Sequence, residues 1–179
     1  MTAPPQAFEA ALIVPVPEAE PVVGGLRHRL DPSAALGIPA HITINYPFKP
    51  RISRPLDAHK ELSSLLSRFP QFTFTLSEIR TFPGVVYLAP KPTEPFLALI
   101  NAVATSFPDS PPYEGQFPQP VPHLTVAQVE ESRLAAAMAE VAQQAAPALP
   151  LPTRARELWL MDNSENFWKT RAVFRLKPS

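Results

Sequence analysis

The sequence has no cysteine. That excludes a disulfide framework, a thiolate zinc site and a cysteine nucleophile, and it suits a reducing cytoplasm, the expected location. It has no charge excess either: 16 Lys and Arg balance 16 Asp and Glu over 179 residues. A strongly basic nucleic-acid coat is thereby excluded, though a local basic cleft is not. No apolar run approaches the roughly 20 residues of a membrane helix. The stretch from Ala10 to Val16 is short and broken by Pro15, with Pro17 behind it. Arg27 is the first basic residue, so no secretion signal is expected. Glycine is scarce at 5 residues, whereas proline reaches 25. Prolines at this density shorten helices, end strands and stiffen loops, a property of the scaffold rather than of the chemistry. Hydrophobic residues make up 45%, enough for a real core.

Apolar periodicity divides the chain into alternating elements. Strands are expected at Phe8 to Val14, His41 to Tyr46, Gln71 to Arg80, Val85 to Leu88, His123 to Val129, Arg154 to Met161 and Trp168 to Leu176. Helices are expected at Glu18 to Leu30, Leu56 to Phe69, Glu94 to Phe107 and Ser132 to Ala146. Pro83-Gly84 reads as a hairpin turn, and Pro108 to Pro122 as a proline-rich loop. The two halves follow one plan: a strand bearing His-x-Thr, then helix, strand, turn, strand. A pseudo-twofold between such halves would bring the two leading strands face to face.

Those strands hold the residues of interest, His41-Ile42-Thr43 and His123-Leu124-Thr125. Side chains two apart on a strand share a face. Each motif therefore presents an imidazole beside a hydroxyl, with Ile42, Ile44, Leu124 and Val126 turned to the core. A lone strand histidine is ordinarily a satisfied core group; a duplicated pair at matching positions is not. Two imidazoles in opposite protonation states can take a proton from water and give one to a leaving oxygen. Threonine hydroxyls can hold non-bridging phosphate oxygens as their charge grows. No third ligand stands at a zinc spacing, so no metal and no cofactor is expected. His28 and His59 lie on expected helices and read as surface residues.

The sequence resembles the 2H phosphoesterases, and within them the bacterial 2′-5′ RNA ligase family, which also contains cyclic nucleotide phosphodiesterases. The resemblance is carried by ALIVPVPEAEP (Ala11 to Pro21), AHITINYPF (Ala40 to Phe48), FPGVVYLAP (Phe82 to Pro90) and VPHLTVAQ (Val121 to Gln128). It implies an α+β fold forming a single domain of two intertwined, pseudo-twofold-related lobes. Their antiparallel sheets would flank a central groove with helices outside. It also implies metal-independent opening of a 2′,3′-cyclic phosphate, on a small nucleotide or an RNA end, to a 2′-phosphate. His41 and His123 would be the acid–base pair, with His123 activating water and His41 protonating the leaving oxygen. Thr43 and Thr125 would hold the phosphate. The same pair run backwards would make 2′-5′ linkages, and a non-catalytic nucleotide- or RNA-binding module is the further alternative.

One position departs from the pattern. Relatives often carry an arginine three residues after the second threonine; here it is Gln128. With zero net charge, this argues against a long RNA substrate. Arg51 and Arg54 are candidate sources of local charge. Phe48 and Tyr87 are candidates for stacking on a base, as are Tyr46 and Trp168. Trp159 reads as core.

Overall fold

The structure, a computed structural model, describes residues 9–50, 55–117 and 119–178. Arg51 and Arg54 lie outside the described residues. Strand β1 (Ala10–Pro15) leads through a 3-10 turn at Pro17–Ala19 into α1 (Glu20–Leu30) and the short α2 (Pro32–Ala35). Next come β2 (His41–Asn45), α3 (Pro55–Leu66), β3 (Phe72–Phe82), β4 (Val85–Lys91) and α4 (Glu94–Ser106). After a proline-rich loop follow β5 (Leu124–Gln128), α5 (Leu134–Ala145), β6 (Leu151–Ala155), β7 (Glu157–Asp162) and β8 (Lys169–Arg175). Two four-stranded antiparallel sheets result, ordered β2-β1-β7-β8 and β5-β4-β3-β6. Among the described residues, no helix is long and apolar enough to cross a membrane.

Each sheet has one motif strand at its edge, β2 or β5. The halves do not build one sheet each. The hairpin β3–β4, which follows the first motif, joins the sheet of the second. The hairpin β7–β8, which follows the second motif, joins the sheet of the first. Helices cross over too: α1 packs against β5 and α4 against β2. The strand expected over Arg154 to Met161 is therefore two strands, divided at Arg156, where the chain steps from one sheet to the other. The in/out alternation slips by one residue at the step, from Thr153 and Ala155 buried to Leu158 buried, a slip that a bulge within one strand would give equally. Pro152 is tolerated because β6 is an edge strand.

One core joins both sheets and the helices. Leu12, Val14, Ile42, Ile44, Leu88, Leu124 and Val126 meet Val23, Leu26, Phe96, Leu99 and Val141 there. Burying each such side chain is worth about 1.5–3 kcal/mol. At the β3–β4 turn Gly84 has φ +69°, and a Cβ there would stand 2.8 Å from the Val129 carbonyl oxygen. That carbonyl belongs to the residue just past β5, so the glycine lets the hairpin close against the end of the second motif strand. The Val129 N–H donates to the Gly84 carbonyl at 2.8 Å.

Candidate active site

In both motif strands the histidine and threonine lie half-buried while their neighbours Ile42, Ile44, Leu124 and Val126 are buried. The alternation thus sets imidazole and hydroxyl on the face away from the main core. The two imidazoles are brought together, close enough that charge on His123 disfavours protonation of His41. Both rings are held the same way. His41 Nδ1 donates to the carbonyl of Pro39 at 2.7 Å, and His123 Nδ1 to that of Val121 at 2.6 Å. A carbonyl only accepts, so each neutral ring carries its proton on Nδ1 and keeps the Nε2 lone pair free. The residue two before each histidine thereby fixes its tautomer.

Burial lowers the pKa of His41 to about 4, helped by the positive charge of Arg27; the Pro39 carbonyl and Asp31 oppose the shift. The pKa of His123 is lowered as well, by burial, against the pull of the Val121 carbonyl. His123 sits in an aromatic corner. Phe82 meets its ring edge-on at 5.1 Å and Tyr87 at 5.4 Å.

Across the second sheet Thr125 is level with Tyr87, and Tyr87 with Arg80. Arg80 faces the Tyr87 side chain and pairs with Glu78. A pocket of about 520 Å³ opens beside this row, lined by Arg80, Tyr87, Pro90, Lys91, Val121 and Pro122. Tyr87 is a poor platform for a base. It is 4% exposed and one face of its ring is stacked on Phe82 at 4.3 Å, so it backs His123 instead.

Phe48 does not reach the groove. Its ring is 5% exposed and packs edge-on against Phe107 at 5.2 Å in the main core. The cause is local: the Phe48 N–H donates to the Ala10 carbonyl at 2.7 Å, which ties the residue along β1. Tyr46 and Trp168 meet at 6.4 Å over a small second cluster of Ala11, Ile13, Ile38 and Met161, and the Tyr46 hydroxyl donates to Glu9. Trp159 is half-buried against that cluster rather than in the main core. Gln128, His28 and His59 are exposed. Among the described residues, no three His, Cys, Asp or Glu side chains are grouped to hold a metal ion.

Two residues at the site carry no motif. Tyr113 comes from the proline-rich loop, where it and Glu114 take left-handed φ values of 52° and 54°. Its N–H donates to the Tyr46 carbonyl at 2.6 Å, and its hydroxyl faces that of Thr43, whose influence opposes the rise that burial gives the Tyr113 pKa. Arg27 lies near His41 and bonds the Thr125 carbonyl, 2% exposed. Its position did carry a signal, because Val23, Leu26, Arg27 and Leu30 share the apolar spacing of one helix face.

Known structures share this architecture. Escherichia coli LigT complexed with NADP+ superposes with a TM-score of 0.58 at 19% identity, covering 98% of this chain and 99% of that one. A phosphoesterase superposes at 0.60 and 17%, covering 96% and 99%. The protein TT0787 of Thermus thermophilus gives 0.56 and 16%, covering 96% and 99%. No curated protein matches in sequence. The sequence profile of the 2′-5′ RNA ligase superfamily matches residues 14–166, and the chain therefore belongs to that superfamily, whose LigT-like α+β fold it shares.

Proposed function

We propose that this protein is a 2′,3′-cyclic phosphodiesterase, opening the cyclic phosphate of a small nucleotide or an RNA end to a 2′-phosphate, with His41 and His123 as acid–base pair. The observation that carries the reading is the matched pair of Nδ1–carbonyl bonds, which leaves two Nε2 atoms and two threonine hydroxyls as the reactive groups of one groove. Thr43 and Thr125 hold the non-bridging oxygens. Neither role requires a metal or cofactor.

The electrostatics support a division of labour opposite to the one the resemblance implies. Burial and Arg27 hold His41 neutral at neutral pH. A neutral imidazole is the form that takes a proton, so His41 is assigned to the attacking water. His123 is not faced by Arg27, and an arriving phosphate anion favours its protonated form. His123 is therefore the donor to the leaving oxygen. LigT has been crystallised with 3′-AMP, ATP and phosphate, which supports a nucleotide as ligand.

The test is turnover of 2′,3′-cyclic mononucleotides, with the product phosphate positioned by NMR. Expected are 2′-phosphates, and a loss of about 10²–10⁴-fold in kcat/KM for His41→Ala and for His123→Ala. Absence of turnover on every cyclic nucleotide, or full activity in either variant, overturns the reading. Joining of RNA ends without hydrolysis would favour the ligase reading.

A further inference from the structure

Among the described residues Arg27 is one of the largest fully buried side chains, yet it carries a charge. A buried guanidinium is costly unless its donors are met. Here they are met by backbone on both sides of the groove. Nε donates to the carbonyl of Thr125, inside the second motif, at 3.0 Å. One terminal nitrogen donates to the carbonyl of Ile38, three residues before His41, at 3.3 Å. The other donates to Asp31 at 3.0 Å, whose side chain is 1% exposed. Glu20 stands 3.9 Å from the guanidinium and accepts the Ala40 N–H, next to His41, at 2.6 Å. A single planar fork thus reaches the backbone of one motif and the entry segment of the other.

We propose that Arg27 is a positioning residue for the histidine pair, fixing the strand of His123 and Thr125 against the segment that delivers His41. The assignment rests on the proposed function for its consequence in catalysis, but not for its geometry. Lysine could not replace it, because a point charge cannot hold the Thr125 and Ile38 carbonyls in one plane. The charge has a second effect. The groups facing His41 are Arg27 and Asp31, His123 from the opposite sheet, and Glu20 through its bond to Ala40. Arg27 opposes protonation of His41 and Asp31 favours it. The clamp that sets the ring's place therefore also holds it ready to accept a proton.

Histidine titration by ¹H–¹⁵N NMR, on the substrate-free protein, separates the two effects. In Arg27→Met the His41 midpoint is expected to rise by at least one pH unit while that of His123 stays within a few tenths. Arg27→Lys is expected to leave His41 low yet lower kcat/KM at least tenfold. Should Arg27→Met not fold, with Asp31 left unpaired, Arg27→Met/Asp31→Asn removes both charges and is expected to raise the His41 midpoint by a smaller amount. An unchanged His41 midpoint in the folded charge-removing variant overturns the inference, as does wild-type kcat/KM in Arg27→Lys. Absence of turnover in the wild type would instead remove the proposed function. The titration shift would still decide the role of Arg27.

Discussion

Acidification should loosen this protein through His41, and the size of the effect follows from its surroundings. The folded-state pKa of about 4 lies below the ordinary 6.5. The unfolded chain therefore binds the proton more readily than the folded one, and stability falls as pH falls. The contribution is fully present above about pH 6.5 and fully lost below about pH 4. A difference of 2.5 units at about 1.36 kcal/mol each gives a limit of ~3 kcal/mol, with about 2 kcal/mol already lost at pH 5. For a chain of this size, 2 kcal/mol corresponds to a drop in Tm of about 4–8 °C. The assay is urea denaturation at half-unit steps from pH 8 to 4.5, for the wild type and for His41→Gln, which cannot titrate. Carboxylates act in both proteins and cancel in the difference. The wild-type curve is expected to fall away from that of the variant between pH 6.5 and 4.5. Parallel curves would refute the burial of the His41 ring beside Arg27, whatever the protein catalyses.

Three other outcomes are expected. Cyclic nucleotide turnover should be unchanged by EDTA, since two imidazoles and two hydroxyls supply every proposed role; a loss restored by a divalent cation would count against them. Gly84→Ala should cost about 1–3 kcal/mol in chemical denaturation, because φ is +69° and the Val129 oxygen occupies the place of the new methyl group. Tyr113→Phe removes the hydroxyl that faces Thr43 and should weaken inorganic phosphate binding about fivefold, the value of roughly 1 kcal/mol for one hydrogen bond, with Tm nearly unchanged; calorimetric titration reads it.

What was legible in the sequence was whatever repeats over short distances. His-x-Thr alternation placed His41, Thr43, His123 and Thr125 on one face because a strand has a period of two, and that rule is local. Elements such as α4 and the Pro83-Gly84 turn announced themselves by stripe and by turn chemistry. Partner choice was not legible. The alternation of residues 151–162 slips at Arg156, but a slip does not tell a bulge in one long strand from two strands in different sheets. Phe48 and Tyr87 were read from residue type alone, and type does not say whether a ring is already packed edge-on against Phe107 or stacked on Phe82. Tyr113 sits in a proline-rich loop without periodicity, so its approach to Thr43 had no sequence signature. Arg27 had one, a cation in an apolar stripe, but its partners 11 and 98 residues away are fixed only by the fold.

The exchange of hairpins bears on how the chain is made. Strand β1 lies between β2 and β7, and its register pairs Ala10 with Asp162. During synthesis the second sheet, complete by Ala155, can assemble while the first is still missing half its strands. Strand β1 must wait, one edge unpaired, until Glu157–Asp162 have left the ribosome. Truncation at any point before residue 157 should therefore give not a half-protein with one working histidine but a sticky fragment in need of chaperones.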